Sequence, residues 1–254
     1  MKVEAVIAAL DLPNSAMVNQ RVPKKLLAEN GAPTSADKKS ILDDIEEVLW
    51  IAALKPSNVA VPAYQDNTRT YAEIAVICLE LRESAKVSRI AELVHRAVPY
   101  PVVLLVRKEA DLFVSVVNIR KAQNEAEKTV LDGKCVLAAI KNDVSGDRFL
   151  RAVSMLNQPR TDLFALYQGW IDTVIALEAA EITGNFNTNN SREQAQKRHV
   201  ALQQCREIKA KVDTLRLAAK KERQLARQVA LNNEIRSMSA ELAAVMTVLN
   251  QGTL

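Results

Sequence analysis

The hydrophobic positions change period along the chain. Over 37–54 (DKKSILDDIEEVLWIAAL), Ile41, Ile45, Val48, Leu49 and Ala52 recur every three or four residues. That spacing predicts one amphipathic helix, with Ser35 as its N-cap. Residues 71–82 (YAEIAVICLELR) alternate and are rich in Ile, Val and Leu, which predicts a strand. Val87–Val98 fits a short helix stopped by Pro99 and Pro101. Val102–Val106 is a continuous apolar run, expected as a central strand, and Phe113–Ile119 and Val130–Ile140 are further strands. Lys108–Asp111 reads as a turn, and Asp132–Gly133 as a tight hairpin turn inside the last segment.

After Asp147 the strand signal disappears. Leu163, Tyr167, Trp170, Val174 and Leu177 keep alternating spacings of four and three. Residues 192–249 form one helical pattern without a Pro or Gly. Within it, Leu231, Ile235, Met238, Leu242, Val245 and Leu249 make a heptad seam, and Ile208, Val212, Leu215 and Ala219 make another in a different phase. The phase shift near 220–230 predicts a local unwinding of the coil. An unbroken helix of this length would reach about 85 Å, too long for one small domain to bury. It would fold back on the 148–182 helix or pair with another chain, either itself or a partner.

The expected fold class is therefore α+β. A small mixed sheet of about four or five strands with flanking helices occupies 1–145, and a long-helix, coiled-coil arm occupies 148–254. The segment 184–191 (GNFNTNNS) is the clearest breaker, because Asn, Thr and Gly favour turns. Weaker breaks lie at 142–147 and 55–70.

Composition narrows the class. Of 254 residues only 6 are Gly and 8 are Pro, which excludes collagen-like and Pro/Gly-rich disordered chains. Three scattered Cys (78, 135, 205) form no CxxC pair and no disulfide framework, which fits a reducing cytoplasm. The N-terminus lacks the pattern of a cleaved signal, and no apolar run approaches the ~20 residues of a membrane span. The net charge of +4 is uneven. Residues 191–242 carry twelve Lys/Arg against six Asp/Glu, so the rest of the chain is slightly acidic. Such asymmetry suggests two units with different partners.

Catalytic patterns are sparse. The two His, His95 and His199, lie in different units, so a nucleophile–His site or a structural zinc has little to draw on. The six Gly form neither a dinucleotide-binding nor a P-loop fingerprint, and no cofactor is expected. Asp66, Glu80 and Arg82 give D-x13-E-x-R, a weak match to strand-borne nuclease carboxylates that hold a divalent metal. The plainer reading makes Glu80 and Arg82 the solvent face of a strand.

The arm offers a basic stripe that includes Lys197, Arg198, Lys209, Lys211, Lys220 and Lys221. Neutralising phosphates releases counterions, so such a stripe is a candidate for weak, non-specific DNA contact. No aromatic lies beyond 187 to stack on bases, and interspersed acids favour intrahelical pairing on a solvated face. Lys24 and Lys25, after Pro23, would open a short helix or lie as plain surface.

Four stretches taken together resemble a known family. They are LPNSAMVNQRVPKKLL (12–27), IEEVLWIAALKPSNVAVP (45–62), EIAVICLELR (73–82) and IAELVHRAVPYPVVLLV (90–106). The chain is similar over about 10–250 to the uncharacterised prokaryotic family known as domain of unknown function 4391. That resemblance carries no catalytic residues. It implies a context beside helicase-like and DNA-methyltransferase genes in restriction-like antiviral loci, hence a helicase- or methyltransferase-like protein partner.

Overall fold

The computed structural model describes residues 1–123, 128–188 and 192–251; residues 189–191 of the expected breaker and the last three residues lie outside them. Contacts divide the chain into two units, Met1–Glu178 and Ala179–Leu254.

The first unit begins with α1 (Val3–Ala9), β1 (Met17–Arg21), α2 (Lys24–Gly31) and α3 (Ser35–Asp44). Then come β2 (Ile45–Leu54), α4 (Pro56–Val59), the small β3–β4 hairpin (Tyr64–Gln65, Thr70–Tyr71) and β5 (Ile74–Leu81). α5 (Val87–Ala97), β6 (Val102–Lys108), β7 (Asp111–Lys121), β8 (Thr129–Ala139) and α6 (Val144–Ala152) follow. α7 (Leu163–Thr183) runs through the division between the units. The main sheet has six strands in the order β1-β2-β5-β6-β7-β8. Only β5 and β6 pair in parallel, joined by the α5 crossover, so this is a mixed sheet with flanking helices. α6 and most of α7 belong to this unit, whereas the sequence reading grouped them with the arm.

The helix expected over 37–54 is two elements. α3 stops at Asp44, and Ile45–Leu54 is a strand. β2 lies inside the sheet and is buried over most of its length, so it reads as a nearly continuous apolar run, which periodicity cannot separate from a helix. Thr34, not Ser35, caps α3 by accepting the Asp37 N–H at 3.1 Å. At the other end the Lys24 ammonium donates to the carbonyls of Leu42 and Ile45 at 2.8 and 2.7 Å. A cation there satisfies groups that a helix C-terminus leaves orphaned. The Lys24–Lys25 pair thus opens α2, with Lys24 acting as a clamp on α3. α2 in turn packs against α5 through Gly31, where a Cβ would fall 2.5 Å from the Leu93 carbonyl oxygen.

One apolar core lies between the sheet and α2, α3 and α5. It joins Leu27, Ile41, Ile45, Val48, Leu79, Ile90, Leu93, Leu104 and Val106, among others. Inside it His95 is buried, with Nε2 3.0 Å from Ser115 Oγ, and desolvation pulls its pKa down to about 3. An ordinary His titrates near 6.5, so between those values the unfolded chain holds a proton that the folded chain does not. Stability is therefore full above about pH 6.5 and falls as the pH drops towards 3, by up to about 1.4 kcal/mol per unit. Urea unfolding should show about 2 kcal/mol less stability at pH 5 than at pH 7. Most of that slope should vanish in His95→Gln; an unchanged slope would contradict this assignment.

The Asp132–Gly133 pair is not a turn. It lies within β8, where the β7–β8 register slips between Val116 and Asn118 and Gly133 takes φ +105°. On the other side of β7 the ladder with β6 ends at Leu104–Ser115, before Val102 and Val117 can pair. The fully buried Tyr167 of α7 stands in between them. Its hydroxyl oxygen accepts the Val117 N–H at 3.1 Å and sits 2.8 and 3.0 Å from the Val102 and Val117 carbonyl oxygens.

The second unit contains α8 (Arg192–Lys221) and α9 (Leu225–Gln251). The uninterrupted helix expected over 192–249 breaks at 222–224, and α8 and α9 pack on each other as a hairpin. Glu222 makes the reversal without Gly or Pro, its carboxylate accepting the N–H groups of Arg223 and Gln224 at 2.8 and 2.9 Å. The phase shift between the two apolar series marks that reversal rather than an unwound coil. On α8, Ile208, Val212 and Ala219 are buried, and on α9 all six seam residues, Leu231 to Leu249, are at least half-buried.

Candidate functional site

The structure does not bring Asp66, Glu80 and Arg82 together. Asp66 turns the β3–β4 hairpin. Its side chain accepts from Tyr64 Oη at 2.8 Å, from the Thr68 N–H and hydroxyl at 2.7 and 2.9 Å, and from the Arg69 N–H at 2.6 Å. The Tyr64 bond, with the Thr68 amide next, holds this carboxyl well below the usual range. Its backbone oxygen accepts from Lys121 Nζ at the end of β7. Glu80 lies across from Arg107 on β6, to which it is ion-paired, and Arg107 in turn lies across from Leu112 at the start of β7. Leu112 to Lys121 is about 30 Å of strand. Two carboxylates that share a metal stand within about 5 Å. Arg82 is exposed just past β5. Among the described residues no group of three or more His, Cys, Asp or Glu gathers where it would hold a metal ion.

The surroundings of Asp66 are structural in character. Arg69 pairs with Asp132 at 2.5 Å and lies 5.5 Å from the Phe164 ring centre. Phe164 stacks on Tyr64 and meets Tyr71 edge-on, and these contacts fasten the small hairpin to α7. Burial, the largest cause, pushes the Cys78 and Cys135 thiols up to about 11, away from the thiolate form that attacks electrophiles or binds metal.

The basic residues of α8 divide into two sets. Lys197 is tied to Glu193 at 2.7 Å. Arg198 is buried, its guanidinium donating to the Asn187 carbonyl, so it points inward rather than to a ligand in solution. Lys209, Lys211, Lys220 and Lys221 are exposed and carry no ion pair among the described residues.

The sequence reading missed a groove, although it had singled out the segments that build it. α2 contributes Leu26, Leu27 and Asn30, β2 contributes Val48 and Trp50, and β5 contributes Ala75 and Ile77. Ala97–Tyr100, at the end of α5 and in the turn after it, close the groove. The Ala75 N–H donates to Pro101 O at 2.9 Å, which anchors that turn on the sheet. Trp50 is half-buried, not a core residue under the sheet, and its indole N–H donates to the Ala52 carbonyl at 2.8 Å. Leu26 is 49% exposed and Tyr100 is 38% exposed. The groove holds about 170 Å³. That is below the size of an ordinary small-molecule pocket. Tyr100, a solvent-facing phenol, is its sole titratable residue. Such a surface can take apolar side chains; it offers no acid–base pair. Trp50→Ala should stay folded and cost about 1–2 kcal/mol in a urea titration, below the ~3–5 of a fully buried Trp. A larger loss would make Trp50 a core residue.

A second cavity of about 450 Å³ lies between α5 and β8 and is lined in part by Glu92, Arg96, Lys134 and Cys135. Arg96 is held by Glu92 at 2.8 Å, and Glu92 also binds Arg89 at 2.9 Å. Its Glu92 and Arg96 are committed to each other.

The class these features define is a mixed-sheet α+β protein with an apolar surface groove and a basic helical hairpin. The chain belongs to the family described as Domain of unknown function (DUF4391), whose model matches residues 10–242. Comparison with curated proteins and with solved structures finds no match. No described helix is long and apolar enough to cross a membrane.

Proposed function

We propose that the protein is a non-enzymatic accessory subunit of a prokaryotic restriction-like antiviral system. It works in the cytoplasm and docks a helicase- or methyltransferase-like partner, using its helical arm. The observation that carries the arm's docking role is the exposed apolar residues on its hairpin, Leu217, Leu225 and Val229; the groove of the first unit, where exposed Leu26 and Tyr100 flank a half-buried Trp50 with no acid–base pair between them, offers a second apolar surface. The defence context rests on the family resemblance. The nuclease reading on Asp66, Glu80 and Arg82 loses support from the separation of the two carboxylates.

DNA contact, where it occurs, is weak and electrostatic. The exposed Lys209, Lys211, Lys220 and Lys221 supply charge, and no described residue beyond 187 supplies an aromatic face. Binding should fall steeply with salt, and replacing these four Lys with Gln should weaken it equally for all sequences. Tight, salt-resistant binding to one sequence would contradict this. The enzymatic alternative is tested with plasmid and single-stranded DNA in Mg²⁺ or Mn²⁺. No cleavage is expected, and cleavage abolished by Glu80→Ala would overturn the non-enzymatic reading.

A further inference from the structure

The reversal of the helical hairpin concentrates two features that seldom coexist on a free surface. Leu217 is 62% exposed, Leu225 74% and Val229 50%. All three lie within five residues of the 222–224 break, about 8 Å along either helix. Lys220, Lys221, Arg223 and Arg227 share the same stretch, all exposed and without an ion pair among the described residues. Glu222, the acid among them, is spent on the N–H groups of Arg223 and Gln224. Exposed large apolar residues beside unpaired cations mark an interaction site.

From this tip we infer a docking surface for an acidic amphipathic helix of another protein. The partner's apolar face covers Leu225 and Val229, and its carboxylates meet Lys220, Lys221, Arg223 and Arg227. Charge selects this occupant over the others. A second copy brought tip to tip would oppose like charges. Nucleic acid would neutralise the cations but leave Leu225 and Val229 in water, and the arm has no aromatic to stack on a base. The inference rests on the docking reading above and names the surface and partner chemistry it uses.

The test uses the full chain and four probes at physiological salt. They are a short acidic amphipathic helical peptide of Leu, Ala and Glu, a scrambled peptide of the same composition, duplex DNA, and phosphatidylglycerol vesicles. The amphipathic peptide should bind at least about tenfold more tightly than its scramble. Leu225→Asp with Val229→Asp should weaken it by a further factor of about ten or more. Gln at Lys220, Lys221, Arg223 and Arg227 should remove its salt dependence. All these positions are exposed, so the variants should keep wild-type circular dichroism. The inference is overturned if peptide and scramble bind alike or not at all. It is also overturned if DNA or vesicles bind as tightly as the peptide. To separate its failure from that of the docking reading, the Leu225→Asp, Val229→Asp protein is isolated from the native host beside the wild type. A wild-type partner, identified and purified, that binds both proteins equally leaves the docking reading standing and removes the tip. A partner lost with the two substitutions supports both.

Discussion

Tyr167→Phe should destabilise the protein by about 2–4 kcal/mol, a large effect for the loss of one oxygen atom. The β6–β7 ladder ends at Leu104–Ser115, and beyond it the Tyr167 hydroxyl stands in between Val102 and Val117 deep in the fold. Removing it leaves a buried N–H with no acceptor and takes a donor from the Val102 and Val117 carbonyls. Unsatisfied groups of this kind cost about 1–3 kcal/mol each. Phe fills nearly the same volume, so little cavity cost is added. The check is the urea midpoint at constant m. A loss below about half a kcal/mol would show that water or backbone movement satisfies Val117 instead.

Ile235→Asp combined with Leu242→Asp should open the helical hairpin. Both side chains lie half-buried on the seam of α9, the helix that packs on α8. Two carboxylates there would enter the interface with α8, whose buried side chains include Ile208 and Val212. Allowing for partial exposure, the pair should cost about 3–5 kcal/mol. Helical circular dichroism should fall, and protease should cut within 192–251, while the near-ultraviolet signal of Trp50 and Trp170 persists. Unchanged helicity and protease resistance would contradict the hairpin.

These two sites show where the sequence was legible. β5, α5, β6 and β7 could be read because each has one period and a clear stop: Pro99 and Pro101 end α5, and Lys108–Asp111 turns the chain. β2 could not, because its burial inside the sheet removes the alternation that identifies a strand. Trp50 lines a surface groove on β2, a placement that no local pattern in the sequence marks. The reversal at 222–224 carries no Gly or Pro, so its one local signal was the change of heptad phase, and the Glu222 carboxylate that makes it has no motif. The groove was visible only as four separate segments. What unites them is the sheet order, which places β2 beside β5 and lays α2 and the turn after α5 over them. The β7–β8 register slip had no signal beyond Gly133, which reads equally well as a turn.

The account turns on whether this chain acts by docking. The most direct measurement is isolation of the protein from its native host after nuclease treatment, followed by reconstitution with the purified co-isolated protein. The account predicts a stable complex with a helicase- or methyltransferase-like protein that survives removal of nucleic acid and forms again from the two purified components. A protein that elutes alone, and that by itself cleaves DNA in Mg²⁺ with dependence on Glu80, would contradict it.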